Sequence, residues 1–431
     1  MNVAVAATGL LTAPLLARAL GADGRGDLAA ILVPLSVLPA VLGLGAPTFV
    51  YRELPRGRPV GEVLGSLALP MLFVGALTAA TALPLANALA DGRPTVRLFL
   101  LIGLLLMPLA LVGRVYAAAL VSLELWSRVI WTRVIPFLVP AAAILLLFAA
   151  DRLTVGAVAA VNVAAGVLGL APCAVLLRRY GRPRFRGSVA REGLRYGAES
   201  WLGGLAFLAN TRLDQFVMVG AVPPRELGLY AVAVTLSGVS GLATGALGPP
   251  LMGRIGRGEV GLLPRALRIT LAGTLLLNGV VAILTPIALP VLFGSDFQAA
   301  VPMTLILLAA NVFWAGSAVL SAALQAGGSP RVPSVAEAVA LMVTAAGLLL
   351  LLGPLGGVGA ALVSLIAYAL AFVIQLVFAR RRFTLDEPFI WPQFADIEWL
   401  MNTFVTRRQQ PGSNTFTGSN SDVTSHIGVP S

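Results

Sequence analysis

In a chain that is otherwise strongly apolar, one stretch concentrates the side chains that could do chemistry. It is Glu199-Ser-Trp-Leu-Gly-Gly-Leu-Ala-Phe-Leu-Ala-Asn-Thr-Arg-Leu-Asp-Gln-Phe-Val-Met-Val-Gly220. It reads as a membrane helix, yet it carries Glu199, Asn210, Arg212 and Asp214. A charge at mid-bilayer costs about 2.5–3.5 kcal/mol on insertion scales. Two charges this close in one span therefore mark a candidate substrate or ion pathway. At about 100° per residue, Glu199, Gly203, Ala206, Asn210 and Asp214 share one small, polar face. Arg212 lies about 200° from Asp214, with Trp201, Leu205, Leu208 and Phe216, so an unbroken helix does not pair the two. Arg212 then meets another helix, sits on a bent one, or snorkels to the headgroups. Asp214 is the better single candidate for the inward stripe.

Two further charges sit inside spans. Arg114, in Leu111-Val-Gly-Arg-Val-Tyr116, is satisfied equally well by an anionic ligand such as phosphate or an acidic sugar, or by a structural carboxylate. Glu337 lies among Ala and Val as a candidate proton site. Arg18 and Glu124 read as interfacial residues. Asn162, Asn278, Asn311 and Gln375 read as hydrogen-bond glue between helices.

Other chemistries lack their residues. One Cys and one His give no basis for a zinc, haem, iron–sulfur or Cys/His catalytic site. The chain has no Lys and no Gly-x-x-x-x-Gly-Lys-Ser/Thr loop, which argues against ATP-driven transport by this chain alone. We expect no enzyme activity, no metal and no cofactor beyond a coupling H+ or Na+.

The elements that must hold these residues follow from composition. The 431 residues are 58% hydrophobic and 11% charged, with a mean hydropathy of +0.90, against about 25% charged in soluble domains. An all-α polytopic membrane protein follows. About twelve spans can be drawn, near residues 2–20, 28–51, 62–89, 96–121, 129–150, 154–177, 197–221, 228–252, 266–293, 300–324, 333–353 and 358–379. The runs lack the alternation of barrel strands, so the spans are helices. The first reads as a retained helix rather than a cleaved signal. Net charge is +11, but no basic run is interleaved with aromatics, so no nucleic acid partner is expected. The arginines cluster in the loops after even-numbered spans, which puts both termini in the cytoplasm by the positive-inside rule.

The two halves repeat. Gly26, Pro47 and Arg52 match Gly228, Pro249 and Arg254 at an offset of 202, and Arg128, Val155 and Arg178 match Arg331, Val358 and Arg381 at 203. Six spans per half give parallel repeats around a central cavity. The expected organisation is a six-helix bundle over 1–180, a basic linker over 181–195, a second bundle over 196–383, and a cytoplasmic, mostly disordered tail over 384–431. Gly356-Gly-Val-Gly359 reads as a tight outer turn.

Several patterns then fall in a familiar order: Ala17-Arg-Ala-Leu-Gly-Ala-Asp-Gly-Arg-Gly-Asp-Leu28, Gly43-Leu-Gly45 with Arg52, Asn210–Gly220 followed by Leu227-Gly-Leu-Tyr-Ala231, Leu292–Ala300, Leu324-Gln-Ala-Gly-Gly328 and Gly356–Ala361. In these the chain resembles the Wzx-type polysaccharide flippases of the multidrug/oligosaccharidyl-lipid/polysaccharide exporter superfamily. The resemblance implies a twelve-helix flippase of the bacterial plasma membrane. It would move an undecaprenyl-diphosphate-linked oligosaccharide outward by cation-coupled alternating access through a cationic cavity. Arg212, Asp214 and Arg114 are the positions carried over. It also implies membrane lipid and the polymerase and glycosyltransferases of the same pathway as partners. A multidrug exporter of the same fold, an antiporter, is the alternative, although span one lacks the carboxylate such an exporter often places there. Short outer loops argue against a membrane glycosyltransferase.

Overall fold

The computed structural model describes residues 2–180, 183–238, 261–329 and 331–383. The latter part of span eight and the tail from 384 lie outside the described residues. Among those described there is no strand, and the helices in chain order are α1 (Asn2–Leu42), α2 (Ala46–Glu53), α3 (Val60–Ala80), α4 (Ala82–Ala90), α5 (Pro94–Leu105), α6 (Met107–Ser122), α7 (Trp126–Ala149), α8 (Val155–Leu168), α9 (Ala174–Tyr180), α10 (Gly187–Ala221), α11 (Pro224–Ser237), α12 (Leu262–Phe293), α13 (Val301–Ala326) and α14 (Arg331–Phe383). Seven helices among the described residues are long and apolar enough to cross a membrane, or eight if the bent pair α5–α6 counts as one span. Helices are what hydrocarbon permits, because each pairs its own backbone groups.

The breaks are where the chain must turn. Gly21 (φ 68°) interrupts α1 and Gly356 (φ 52°) interrupts α14, between the spans expected there. At Gly356 the chain folds back. A Cβ on Gly347 would come within 2.7 Å of Val363 Cγ2, whereas a straight helix would separate those residues by ~24 Å. The turn needs glycine twice over. Its φ is positive, and the Glu226 carboxylate fills the place of a Cβ. Glu226 accepts a 2.8 Å hydrogen bond from the Gly357 N–H there.

Near this end of the molecule, α1 and α11 meet backbone to backbone. A Cβ on Gly26 would overlap the Pro224 carbonyl, and one on Gly228 would overlap the Ala22 carbonyl. These are the same two glycines that the internal repeat pairs. Arg18, expected as an interfacial residue, reaches a helix end. It donates to the carbonyls of Val291 and Leu292, the latter at 3.0 Å, at the C-terminus of α12. Those carbonyls have no partner in their own helix, and the helix dipole favours a cation. Arg18→Ala should lower the thermal midpoint of detergent-purified protein only slightly, as a contact worth about 0.3–1 kcal/mol would.

The arginine-rich end is held by a charge network. Glu53 is buried and receives Arg52 at 3.1 Å, Arg56 at 3.2 Å and Arg58 at 2.7 Å. Arg58 also reaches Glu192 on α10 at 2.8 Å, and Arg186 reaches Glu62 at 3.2 Å. The hydrogen bond to Glu192, with Glu53 and Glu62 adding their charge, holds the Arg58 guanidinium above its ordinary basicity. Arg52 lies over the Tyr196 ring, 4.3 Å from its centre. The stretch expected as a linker is described from residue 183. From Gly187 it is already helix, and α10 runs on for 35 residues, ~52 Å, into span seven. Glu53→Gln leaves three guanidiniums around a neutral amide. We expect a clear fall in thermal midpoint, smaller than the about 3–5 kcal/mol of a fully buried pair because the arginines are partly solvated.

The asparagines expected as glue divide. Asn278 bonds Leu308 O at 2.8 Å, Asn311 bonds Ser237 O at 2.7 Å, and Gln375 accepts from Ser321 at 2.8 Å, all between helices. Asn162 does not join them, because its amide donates to Val158 O in its own helix at 2.8 Å.

Candidate ion and substrate pathway

Asp214 stands on α10 and is 6% exposed. One carboxylate oxygen accepts the Gln215 backbone N–H at 2.7 Å, and the other accepts the Tyr230 hydroxyl from α11. Tyr230 is fully buried, and its hydroxyl also meets the Ser364 side chain of α14. One turn further along α14, Tyr368 faces both Asp214 and Glu337. Three helices therefore bring two carboxyl groups, two phenols and one hydroxyl into a single interior cluster. Glu337 is half-buried on the stretch of α14 before the Gly356 fold-back. The fold-back carries Ser364 and Tyr368 alongside it.

The charge of Arg212 also reaches Asp214 and Tyr368. The Arg212 side chain is exposed, and among the described residues it makes no ion pair with Asp214. The wheel argument separated these residues, and the structure leaves Asp214 buried and Arg212 exposed. Glu199 and Asn210 occupy α10 in the same register, but their side chains lie outside the described residues. Among the described residues no group of three His, Cys, Asp or Glu could hold a metal ion. What the cluster can do is simpler. An ionised carboxylate buried in hydrocarbon is costly unless paired, so a proton on Asp214, or a monovalent cation beside it and the neighbouring hydroxyls, would lower that cost.

Sequence reasoning did not identify Tyr230, Ser364 and Tyr368 as site residues. A signal existed for the first, since Tyr230 lies in the Leu227-Gly-Leu-Tyr-Ala231 pattern. Ser364 and Tyr368 are one helical turn apart, a polar i, i+4 pair in an apolar run.

Arg114 lies elsewhere. It is exposed to two adjoining cavities, of about 570 and 260 Å³, whose lining residues all fall between 32 and 170. Neither cavity is lined by a residue of the Asp214 cluster.

Known proteins resemble this chain in sequence and in fold. The family described as "Polysaccharide biosynthesis protein" matches residues 1–252. No curated protein matches the chain in sequence. Among solved structures, the lipid II flippase MurJ in an inward closed conformation superposes with a TM-score of 0.74 at 15% identity, covering 96% of this chain and 93% of that one. An inward-facing multidrug resistance MATE family transporter of the MOP superfamily gives 0.68 at 14% identity, covering 88% and 94%. A MOP superfamily transporter from Pyrococcus furiosus, whose binding pocket is described as reversed in polarity, gives 0.54 at 16% identity, covering 89% and 93%. At these identities the likeness establishes the shared polytopic fold.

Proposed function

The chain belongs to the polysaccharide biosynthesis protein family, and from that premise we propose that it carries an undecaprenyl-diphosphate-linked oligosaccharide from the cytoplasmic to the outer leaflet of a bacterial plasma membrane. It is a multi-pass membrane protein of the flippase and transporter class. Within that class our reading is alternating access between two six-helix halves, driven by a proton or sodium gradient.

The observation that carries the coupling is the Asp214 cluster. A buried carboxyl joined by Tyr230 to α11 and flanked by Tyr368 and Glu337 of α14 links three helices through one ionisable group. Loading that group changes the charge that the helices must enclose. The meeting of Gly26 with Pro224 and of Gly228 with Ala22 supports a state closed at the outer end, as an inward-facing carrier requires. The termini are then cytoplasmic, and the Glu53 network lies on that side.

The test is genetic and biochemical together. Depleting the protein in its own cell should stop surface glycan while the lipid-linked oligosaccharide accumulates in the inner leaflet. Continued export of glycan, or accumulation of undecaprenyl phosphate instead of the loaded carrier, would overturn the reading.

A further inference from the structure

We propose that the cavity walled by α1, α5, α6, α7 and α8 binds a membrane lipid with an anionic phosphate headgroup, the phosphate on Arg114 and the hydrocarbon chain in the apolar chamber beside it. The larger cavity, about 570 Å³, falls in the range of about 300–1,000 Å³ typical of ligand sites. Its walls include Leu32, Leu35, Met107, Phe137, Val163 and Val167. The smaller, about 260 Å³, is lined by Tyr51, Thr132 and Arg133. Arg114 lines both and stands where they adjoin, near Gly43.

The space is built into the backbone. The span of α5 and α6 bends by 52° at Leu106, which lines the larger chamber, and Pro39 and Pro136 line it too. Gly166 faces open space in both chambers, with nothing within 4 Å of where a Cβ would stand.

The electrostatics select the occupant. Neither cavity is lined by Asp or Glu; Arg114 faces both, and Arg133 faces the smaller. Three of the polar groups around them already donate within their own helices: Ser36 to Val33 O at 2.8 Å, Thr132 to Val129 O at 2.8 Å, and Asn162 to Val158 O at 2.8 Å. Among the described residues Arg114 has no hydrogen-bond or ion-pair partner. A guanidinium inside a membrane protein wants a carboxylate or a phosphate, and its fork matches phosphate oxygens two at a time. A cationic ligand is repelled by the same pair. A free inorganic anion would satisfy Arg114 but leave the apolar chamber unfilled, whereas a lipid phosphate satisfies both.

The test uses the full chain, purified in detergent and assayed by native mass spectrometry with phosphatidylglycerol, undecaprenyl phosphate, phosphatidylcholine and inorganic phosphate as separate probes. The choice of undecaprenyl phosphate rests on the flippase reading; the binding measurement itself does not, since it involves no transport. Expected is retention of one anionic lipid per chain and at least tenfold weaker retention of phosphatidylcholine. Arg114→Gln should cut retention of the anionic lipid at least tenfold. Gly166→Leu, which fills the chamber and leaves the charge, should do the same, while Arg331→Gln, outside the cavities, should not. Displacement of phosphatidylglycerol by undecaprenyl phosphate identifies the carrier lipid as occupant. Failure to displace identifies a resident phospholipid, and either result supports a lipid-phosphate site. Equal retention of phosphatidylcholine, unchanged retention by Arg114→Gln, or inorganic phosphate binding as tightly as the lipids would overturn the proposal.

Discussion

Asp214→Asn should reduce transport at least about 100-fold, equivalent to ~2.7 kcal/mol in the rate-limiting step, while the protein remains folded in the membrane. Asn nearly matches the size of Asp and keeps an oxygen to accept the Tyr230 hydroxyl. It removes the group that can gain and lose charge, and with its single oxygen it gives up the acceptor for the Gln215 N–H. The stability readout separates this role from a structural one. Replacing a buried carboxyl by an amide removes a desolvation cost that offsets the lost Gln215 hydrogen bond, so the thermal midpoint should hold nearly steady as activity falls. A variant that loses both together would mark Asp214 as a packing residue. Tyr230→Phe should be milder. It deletes one hydrogen bond to a charged group, worth about 1.5–3 kcal/mol, but leaves the carboxyl in place. The comparison is made by counting surface glycan per molecule of membrane-inserted protein.

Gly228→Leu should be the second most damaging change, and for a reason of pure geometry. A Cβ there collides with the Ala22 carbonyl, which is backbone and cannot rotate away. Ordinary overpacking costs about 1–3 kcal/mol, and a backbone collision belongs at or above the top of that range. The relief available is separation of α1 from α11, so the closed contact at this end should be lost. A cysteine placed at Ala22, 3% exposed in the closed state, reports this in a Cys173→Ala background. Its reaction with a soluble maleimide should speed up at least tenfold in the Gly228→Leu protein. Gly220→Ala is the control, since nothing lies within 4 Å of a Cβ at that position. Unchanged labelling together with full transport would show that the Gly26–Gly228 contact gates nothing.

How much of this could be read from the chain varies with the kind of physics involved. The helical, membrane-spanning fold was legible because hydrocarbon leaves few options, and composition alone excludes a soluble core. The separation of Asp214 from Arg212 was legible because it depends only on the helical period. The cluster around Asp214 was not. Tyr368 reaches it only because α14 folds back at Gly356, and Ser364 only because that fold-back meets α11. Those are long-range contacts that no local pattern encodes. Gly26 and Gly228 were visible as a repeat, but not as two surfaces pressed together. Arg18 was read as interfacial, but its acceptors were not legible, because they are backbone carbonyls at residues 291 and 292, which leave no signature in sequence. Arg114 was flagged by its depth, but the two cavities that it lines, with no Asp or Glu among their lining residues, were not legible.

The central claim is that this chain flips a lipid-linked glycan under the control of Asp214. The direct measurement reconstitutes purified protein in liposomes loaded on the inner leaflet with an undecaprenyl-diphosphate oligosaccharide, imposes a proton or sodium gradient, and adds an external glycosidase. The account predicts that the oligosaccharide becomes cleavable with wild-type protein under a gradient, and stays protected with Asp214→Asn or with no gradient. Protection persisting with active wild-type protein under both gradients, or equal cleavage with Asp214→Asn, would contradict it.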